Sequence, residues 1–351
     1  MKKINRLFIH APNIHQGGGR SLLEALLMAL PKFLNAVVVV DTRMPIPEGM
    51  HSLVEIKRVI PSVLERLKAE WWISQKVKSD DVLLSFGNLP PLFKLKGHVF
   101  VFLQNRYLVS KIGLGSFPFL VSLRLFIERL WFISRKINAD EFIVQTPSME
   151  SMLMQLGSIA PIHVLPFVEQ MVSKAKSNAQ QVANCDFLYV ASGEPHKNHR
   201  CLIEAWCLLA KNNLYPSLGL TLDLLHSQEL CDWIDKKKNE FNLNINNFGL
   251  LSREGVKSLY SQSRALIYPS TFESFGLPLI EAEQVGLPIL ASELDYVRDI
   301  ISPAQAFDPA SPISIARAVK RFLGQDEVPI SVMDAAGFLR CIIGINGKHN
   351  L

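Results

Sequence analysis

The stretch from Thr271 to Ser292, TFESFGLPLIEAEQVGLPILAS, decides how this chain is read. Ala265–Tyr268 before it is apolar enough for a strand, and Pro269-Ser270-Thr271 ends that strand. Pro278 suits the first turn of a helix and Gly286 its C-terminal end, which predicts a helix over Pro278–Val285. The turn Glu273–Leu277 then sits at the carboxyl end of a strand and the N-terminus of a helix. Free backbone N–H groups and the helix dipole make such a place an anion site, and Gly276 lets a ligand approach the backbone closely. Two glutamates, Glu273 and Glu281, flank the turn, yet no Lys or Arg lies between Thr271 and Ser292. A carboxylate is costly to bury unpaired and would repel a phosphate. Its two acceptor oxygens do match the paired hydroxyls of a sugar or ribose. Phosphate flanked by hydroxyls on both sides describes a nucleotide sugar.

Outward from this stretch, short apolar runs alternate with helical patterns. Leu7–His10, Ala36–Val40, Val82–Ser85, His98–Leu103 and Glu141–Gln145 read as buried strands, with a helix over Arg20–Leu30. A second set follows: strands at Asp186–Ala191, Leu220–Leu225, Ile245–Phe248, Arg264–Tyr268 and Leu287–Ala291, and helices at Arg200–Ala210, Leu230–Glu240 and Ser314–Leu323. Such alternation implies parallel, doubly wound sheets. Gln170–Asn184 between the sets is polar and reads as a linker. The expected organisation is α/β, two Rossmann-like domains facing a cleft: residues 1–169, a linker at 170–184, and residues 185–351.

With 351 residues, 48% hydrophobic and 20% charged, the chain is a folded globular protein large enough for two cores. Its charge is uneven. Residues 1–170 hold 20 Lys and Arg against 13 Asp and Glu, and residues 171–351 hold 17 against 19. A basic first half suits an anionic partner such as a membrane surface or a phosphate-bearing lipid; no nucleic acid partner is expected. Five scattered cysteines without a C-x-x-C argue against a disulfide framework and fit a reducing cytoplasm. His196, His199 and Cys201 lack the second pair of a zinc site, which favours a structural or substrate role. MKKINRLFIHAP has too short an apolar run for a signal peptide and reads as a first strand. No apolar stretch is long enough to span a bilayer. Ser116–Ile137, SFPFLVSLRLFIERLWFISRKI, is strongly apolar but carries Arg124, Glu128, Arg129, Arg135 and Lys136. Two readings stand: a helix lying in the membrane interface, or one docked on the sheet with a charged outer face.

Three further loops carry chemistry. In YVASGEPHKNHRCLIEAW, Tyr189–Trp206, a strand ends in a loop that places Lys197 ahead of a helix, where its ammonium can meet a phosphate. In NIHQGGGRSLLEALL, Asn13–Leu27, Gly17, Gly18 and Gly19 open a helix after the first strand and can pack against a phosphate or sugar ring; Arg20 adds either a nearby cation or a solvated helix face. In FLQNRYL, Phe102–Leu108, Gln104, Asn105 and Arg106 follow a first-domain strand and are candidate acceptor-binding groups. Amides bind hydroxyls but are not general bases.

The pattern E-x7-E around S-F-G-L-P resembles the signature of retaining, family 4 type glycosyltransferases (glycosyl transferases group 1), which have the GT-B fold. The resemblance covers most of residues 7–323, more strongly in the second domain. It implies Glu273 beside the donor hexose, Ser274, Phe275, Gly276 and Leu277 offering N–H groups to the diphosphate or sugar, and Glu281 on the ribose. Glycines 17–19 would close over the donor. The family's G-R-x-x-x-x-K pair, which neutralises the leaving diphosphate, matches here at Lys197, but its arginine position falls on Ser192. Asn246–Leu250 with Ser252 and Glu254 resembles the loop near the nucleotide base. No D-x-D occurs, consistent with an enzyme that needs no metal or other cofactor.

The resulting expectation is a hexosyltransferase moving sugar from a GDP- or UDP-sugar to an acceptor hydroxyl. The acceptor is expected to be a lipid-linked or lipopolysaccharide glycan at the inner membrane face, with peripheral contact through 116–137. A sugar-nucleotide epimerase, a phosphorylase and a non-catalytic sugar-binding subunit remain as alternatives.

Overall fold

The computed structural model describes residues 5–50, 52–110, 119–157, 160–168 and 185–325. The linker read at Gln170–Asn184 and the tail from Asp326 lie outside them.

The first sheet is built from β1 (Leu7–Ala11), β2 (Ala36–Asp41), β3 (Val54–Val59), β4 (Val82–Ser85), β5 (His98–Leu103), β6 (Glu141–Val144) and β7 (Ile162–Val164). They run in the order β3-β2-β1-β4-β5-β6-β7, every pair parallel. Helices α1 (Gly17–Met28), α2 (Val63–Lys76), α3 (Phe119–Arg135) and α4 (Pro147–Gln155) connect them. The second sheet holds β8 (Cys185–Tyr189), β9 (Leu218–Leu220), β10 (Ile245–Asn247), β11 (Ser263–Tyr268), β12 (Ile289–Ser292) and β13 (Gln305–Phe307), in the order β10-β9-β8-β11-β12-β13. Its helices are α5 (His199–Lys211), α6 (Gln228–Phe241), α7 (Arg253–Ser261), α8 (Leu277–Gln284), α9 (Asp295–Arg298) and α10 (Pro312–Phe322).

Side-chain alternation sets the layers. Phe8 of β1 packs on the face covered by α2, α3 and α4, while Ile9 packs on the opposite face with Leu22, Leu23 and Leu27 of α1. The all-buried AVVVVD of β2 is what a parallel strand covered on both faces requires. In the second sheet Phe187, Leu188, Ala265, Leu266 and Trp206 belong to one continuous core. Each fully buried aliphatic side chain there contributes about 1.5–3 kcal/mol.

Several elements depart from the sequence reading. VEIKRV of β3 escaped it because this edge strand alternates with exposed charge, as edge strands do. The strand expected over Leu220–Leu225 instead spans Leu218–Leu220. Gly219 masks it and is needed for packing, since a Cβ there would stand 2.8 Å from the Phe248 ring. The remaining expected strands and helices lie within two or three residues of their predicted bounds.

The two readings of Ser116–Ile137 separate on exposure. In α3, Leu125 and Phe132 are buried, and Arg129 turns inward to donate to the carbonyls of Tyr107 (2.7 Å) and Ser110 (3.2 Å). The outward face is apolar: Phe119, Leu120, Leu123, Phe126, Ile127, Leu130 and Ile133 are all exposed. The charged outer face of the docked-helix reading is therefore absent along most of α3. α2 continues this surface with exposed Val63, Leu64, Leu67 and Trp71, and the Arg66 guanidinium lies over the Trp131 ring of α3 at 5.1 Å. Among the described residues, no helix is long and apolar enough to cross a membrane.

Candidate functional site

In the second sheet β8 and β11 are adjacent and parallel, with Leu188 paired to Leu266. Strand order reverses between them, which makes their carboxyl ends the switch point where open α/β sheets bind ligands. Lys197 comes from the loop after β8 and Glu273 from the loop after β11. Lys197 Nζ meets Glu273 Oε1 at 2.7 Å, and both side chains are largely buried. Tyr268 OH donates to the same oxygen at 2.9 Å. Burial, and then the charge of Glu273, hold the Tyr268 phenol far above its ordinary pKa, so it remains a donor. Both contacts fall on Oε1, and Glu273 Oε2 takes no hydrogen bond among the described residues. The glutamate that looks unpaired in its own stretch is thus paired from 76 positions upstream.

The loop after β8 is fixed by backbone acceptors. The His196 carbonyl accepts from Thr271 N (2.8 Å), Thr271 Oγ1 (3.1 Å) and Ser270 Oγ (3.0 Å). Tyr189 OH donates to the Lys197 carbonyl at 2.6 Å. Asn198, in the left-handed region at φ 62°, donates to the carbonyls of Pro269 and Pro309. Burial and the neighbouring Lys197 push the His196 imidazole below its ordinary pKa, so His196 is neutral at pH 7 and adds no second cation. Ser192 is exposed and donates to the Glu194 carboxylate, leaving no cation at the position where the resemblance has arginine.

Helix α8 starts behind Gly276, whose φ of 71° demands glycine. Phe275 and Gly276 are buried, Ser274 and Leu277 half-buried. Pro278 has no N–H, so the helix start presents the N–H groups of the residues before it. Glu281, one turn in, accepts from Tyr260 OH of α7 at 3.0 Å; burial and then Glu281 raise that phenol well above its ordinary pKa. Of the base-proximal candidates, Asn247 closes its side chain on Leu222 N (2.9 Å) and Leu222 O (3.0 Å), and Ser252 caps α7 on Gly255 N.

The first sheet brings Gly17–Gly19 and Gln104–Arg106 to the same cleft. Gly17 has a left-handed φ of 64°, and a Cβ on Gly18 would stand 2.9 Å from Leu277 Cδ1, so the glycine loop touches the α8 turn. Arg20 pairs with Glu24 along α1 at 2.8 Å, on the exposed side of the helix. Gln104 Nε2 donates to the Phe86 carbonyl, and Asn105 Oδ1 accepts from Tyr107 N at 3.0 Å. Arg106 crosses the cleft: its N–H donates to Ser274 Oγ (3.0 Å) and its Nη1 to the Glu273 carbonyl (3.1 Å). A cavity of about 390 Å³ beside this crossing is lined by Arg106, Val109, Ser110, Met152, Gln155, Leu156 and Phe272. A larger open cavity, about 600 Å³, lies at the amino ends of β4 and β5, away from these residues.

Sequence reasoning named the glutamates, Lys197 and the glycines but missed Tyr260, Tyr268 and the carbonyl anchors. Tyr268 ends a strand five residues before Glu273, a local signal that was there to use. Tyr260 had none. Among the described residues no three His, Cys, Asp or Glu side chains converge as metal ligands.

Residues 173–333 match the family model described as glycosyl transferases group 1. The serotype-specific mannosyltransferase WbdA of Escherichia coli is 34% identical over 154 residues, 41% of this chain, and that match spans only 18% of WbdA. O-antigen chain mannosyltransferase B of Escherichia coli is 28% identical over 142 residues, 40% of this chain and 37% of its own length. Among solved structures, HepE of Anabaena in complex with UDP and glucose aligns with a TM-score of 0.65 at 17% identity, over 92% of this chain and 90% of HepE. The lipopolysaccharide outer core galactosyltransferase WaaB, in its apo form, aligns with a TM-score of 0.61 at 15% identity, over 92% and 91%. Two parallel doubly wound sheets facing a cleft are the GT-B fold, and residues 173–333, which carry the paired Lys197 and Glu273 at the second sheet's switch point, match the glycosyl transferases group 1 model.

Proposed function

We propose that the chain is a family 4 type, retaining hexosyltransferase that moves mannose from a nucleoside diphosphate sugar to a hydroxyl of a surface-polysaccharide or lipopolysaccharide glycan. The observation that carries this reading is the Lys197–Glu273 pair beside the α8 N-terminus. The mannosyltransferase names of these relatives suggest the sugar. As the glycosidic bond breaks, charge develops on the leaving diphosphate. Lys197 and the N–H groups ahead of α8 stabilise it where it develops. Glu273 Oε2 accepts from the hexose hydroxyls, and Glu281 holds the ribose. Retention follows from attack on the face that the diphosphate leaves, its oxygen taking the acceptor proton. No metal is needed in this scheme, because cationic and N–H groups do the neutralising.

The test is turnover with GDP-mannose, UDP-glucose and UDP-galactose against lipid-linked glycan acceptors, with the anomeric configuration of the product read by NMR. Transfer from GDP-mannose with retention is expected. Donor epimerised without acceptor, or cleaved only with phosphate, would replace this reading with an epimerase or a phosphorylase. Binding without turnover across the panel would make the chain a sugar-binding subunit.

The apolar outward faces of α2 and α3, with Lys57, Lys68, Arg124 and Arg135 near them, favour an acceptor presented at a membrane. In this reading the first domain lies on the cytoplasmic leaflet as an interfacial surface. Flotation with anionic liposomes at low salt is expected; absence of binding there rejects it.

A further inference from the structure

We propose that Arg106 is a positioning residue of the transfer site. From the first domain it fastens the turn Phe272–Ser274, so that Glu273 is set for catalysis only when the cleft is closed. The inference rests on the role of Glu273 given above. Arg106 holds this turn at three consecutive residues. Its guanidinium lies over the Phe272 ring at 4.7 Å, its Nη1 bonds the Glu273 carbonyl at 3.1 Å, and its own N–H bonds Ser274 Oγ at 3.0 Å. The two hydrogen bonds bracket the peptide that follows the Glu273 side chain. Tyr107 adds a second ring against Phe272, with centroids 4.4 Å apart. The Arg106 segment is fastened from behind, where Arg129 of α3 grips the carbonyls of Tyr107 and Ser110.

Charge favours the same closure. Burial works against the Arg106 charge and holds its pKa below the ordinary value, and the acids that offset part of that cost, Asp295, Asp299 and Glu273, all come from the second domain. Asp299 also accepts from Ser148 N at the start of α4, 3.1 Å, a further tie across the cleft. Arginine suits this post because one planar group can stack on a ring and donate in its plane, which an ammonium cannot do. A turn held this way sets Glu273 within a fraction of an ångström, and a misplacement of about 1 Å can lower rate about 100-fold.

The rival assignment makes Arg106 a direct acceptor contact, and donor hydrolysis separates the two. In hydrolysis water attacks the anomeric carbon, releasing free hexose and the nucleoside diphosphate, so no acceptor group takes part. Arg106→Ala is expected to lower transfer and hydrolysis by the same factor, about 100-fold, and Arg106→Lys by about 10-fold in both. Ser274→Ala should act in the same direction with smaller size. Because Arg106 acts through Glu273, Arg106→Lys added to Glu273→Gln should cost little further rate. Small-angle scattering of Arg106→Ala should show a larger radius of gyration. Hydrolysis at the wild-type rate in both Arg106 variants, with a raised acceptor KM, overturns the proposal in favour of acceptor contact. Full additivity with Glu273→Gln overturns it as well. If Glu273→Gln itself turns over at the wild-type rate, the site reading fails rather than this inference alone. Circular dichroism melts of Arg106→Lys and Ser274→Ala exclude misfolding as the cause of lost rate.

Discussion

After β8 and β11 the second sheet places a lysine and a glutamate, and it locks both with buried tyrosines: Tyr189 on the Lys197 carbonyl and Tyr268 on Glu273. After β1 and β4 the first sheet places glycines. Of Gly17–Gly19 only Gly17 faces open space, Gly18 lets Leu277 of the second sheet's turn approach, and Gly87 leaves room for Asn13, whose Oδ1 would stand 2.4 Å from a Cβ at that position. The strand order around the two switch points is the same, 3-2-1-4-5-6 in both sheets, with β7 added at the edge of the first. One fold therefore serves two purposes. The second half supplies fixed charge in a low-dielectric setting, where it acts most strongly. The first half supplies room, a crossing arginine and an apolar outer face. Charge developing in a transition state needs the former, and a large acceptor needs the latter.

The sharpest way to break this division is to remove the charge. Lys197→Ala or Glu273→Gln should lower kcat by about 100-fold or more, as loss of one site charge or donor does. Lys197→Ala also leaves the Glu273 carboxylate half-buried beside a single phenol. It should therefore melt at a lower temperature than Glu273→Gln. Near-wild-type turnover in both variants would move the chemistry out of the second half. Next in size is Tyr268→Phe. It deletes one donor to a charged acceptor and should cost about 1.5–3 kcal/mol in the transition state, roughly 10- to 100-fold in kcat/KM. An unchanged rate would mean that Lys197 alone orients Glu273. Smaller again is Tyr260→Phe, which loosens Glu281. Nucleotide affinity measured by calorimetry should weaken about 10-fold, with kcat nearly unaffected. A fall in kcat without a change in affinity would take Glu281 off the ribose.

The same asymmetry governs what was legible beforehand. β8, β11 and α5 announce themselves as continuous apolar runs and a clean helical stripe, and the turn at Glu273–Leu277 is bounded by Pro and Gly. Position in the fold and chemistry coincide there, so local residues suffice. The partners of the glutamates were not legible. Lys197 is 76 residues from Glu273 and Tyr260 is 21 from Glu281, and no period or spacing rule links residues brought together by parallel pairing of non-consecutive strands. Arg106 is the extreme case, 167 residues from the carbonyl it bonds. Its segment FLQNRYL reads as a polar strand-end loop, and only docking of one sheet on the other gives it a role. In the first half, β3 was missed because an edge strand hides its hydrophobic pattern behind charge.

The smallest expected effect concerns acid. Each half buries a histidine against its sheet, and burial lowers both imidazoles to about 3. His199 packs on the Tyr189 ring at 4.8 Å, and the Lys197 ammonium, with His196 once that ring is protonated, lowers it further. His10 faces Glu70 at 3.6 Å as well as Arg66. Unfolded histidine titrates near 6.5. Between that value and about 3 the unfolded chain binds a proton that the folded chain refuses, so stability is full above pH 6.5 and falls as pH drops below it. The slope reaches about 1.4 kcal/mol per pH unit for one such group. In the first half the loss is blunted, because burial raises the Glu70 carboxyl and the folded state then gains a proton as pH falls. His199→Phe keeps the ring stack and should flatten urea midpoints between pH 7.5 and 5 more than His10→Phe does. Equal flattening by both would show that Glu70 and its partners leave the first half as acid-sensitive as the second, and the electrostatic contrast between the halves would then stop at the cleft.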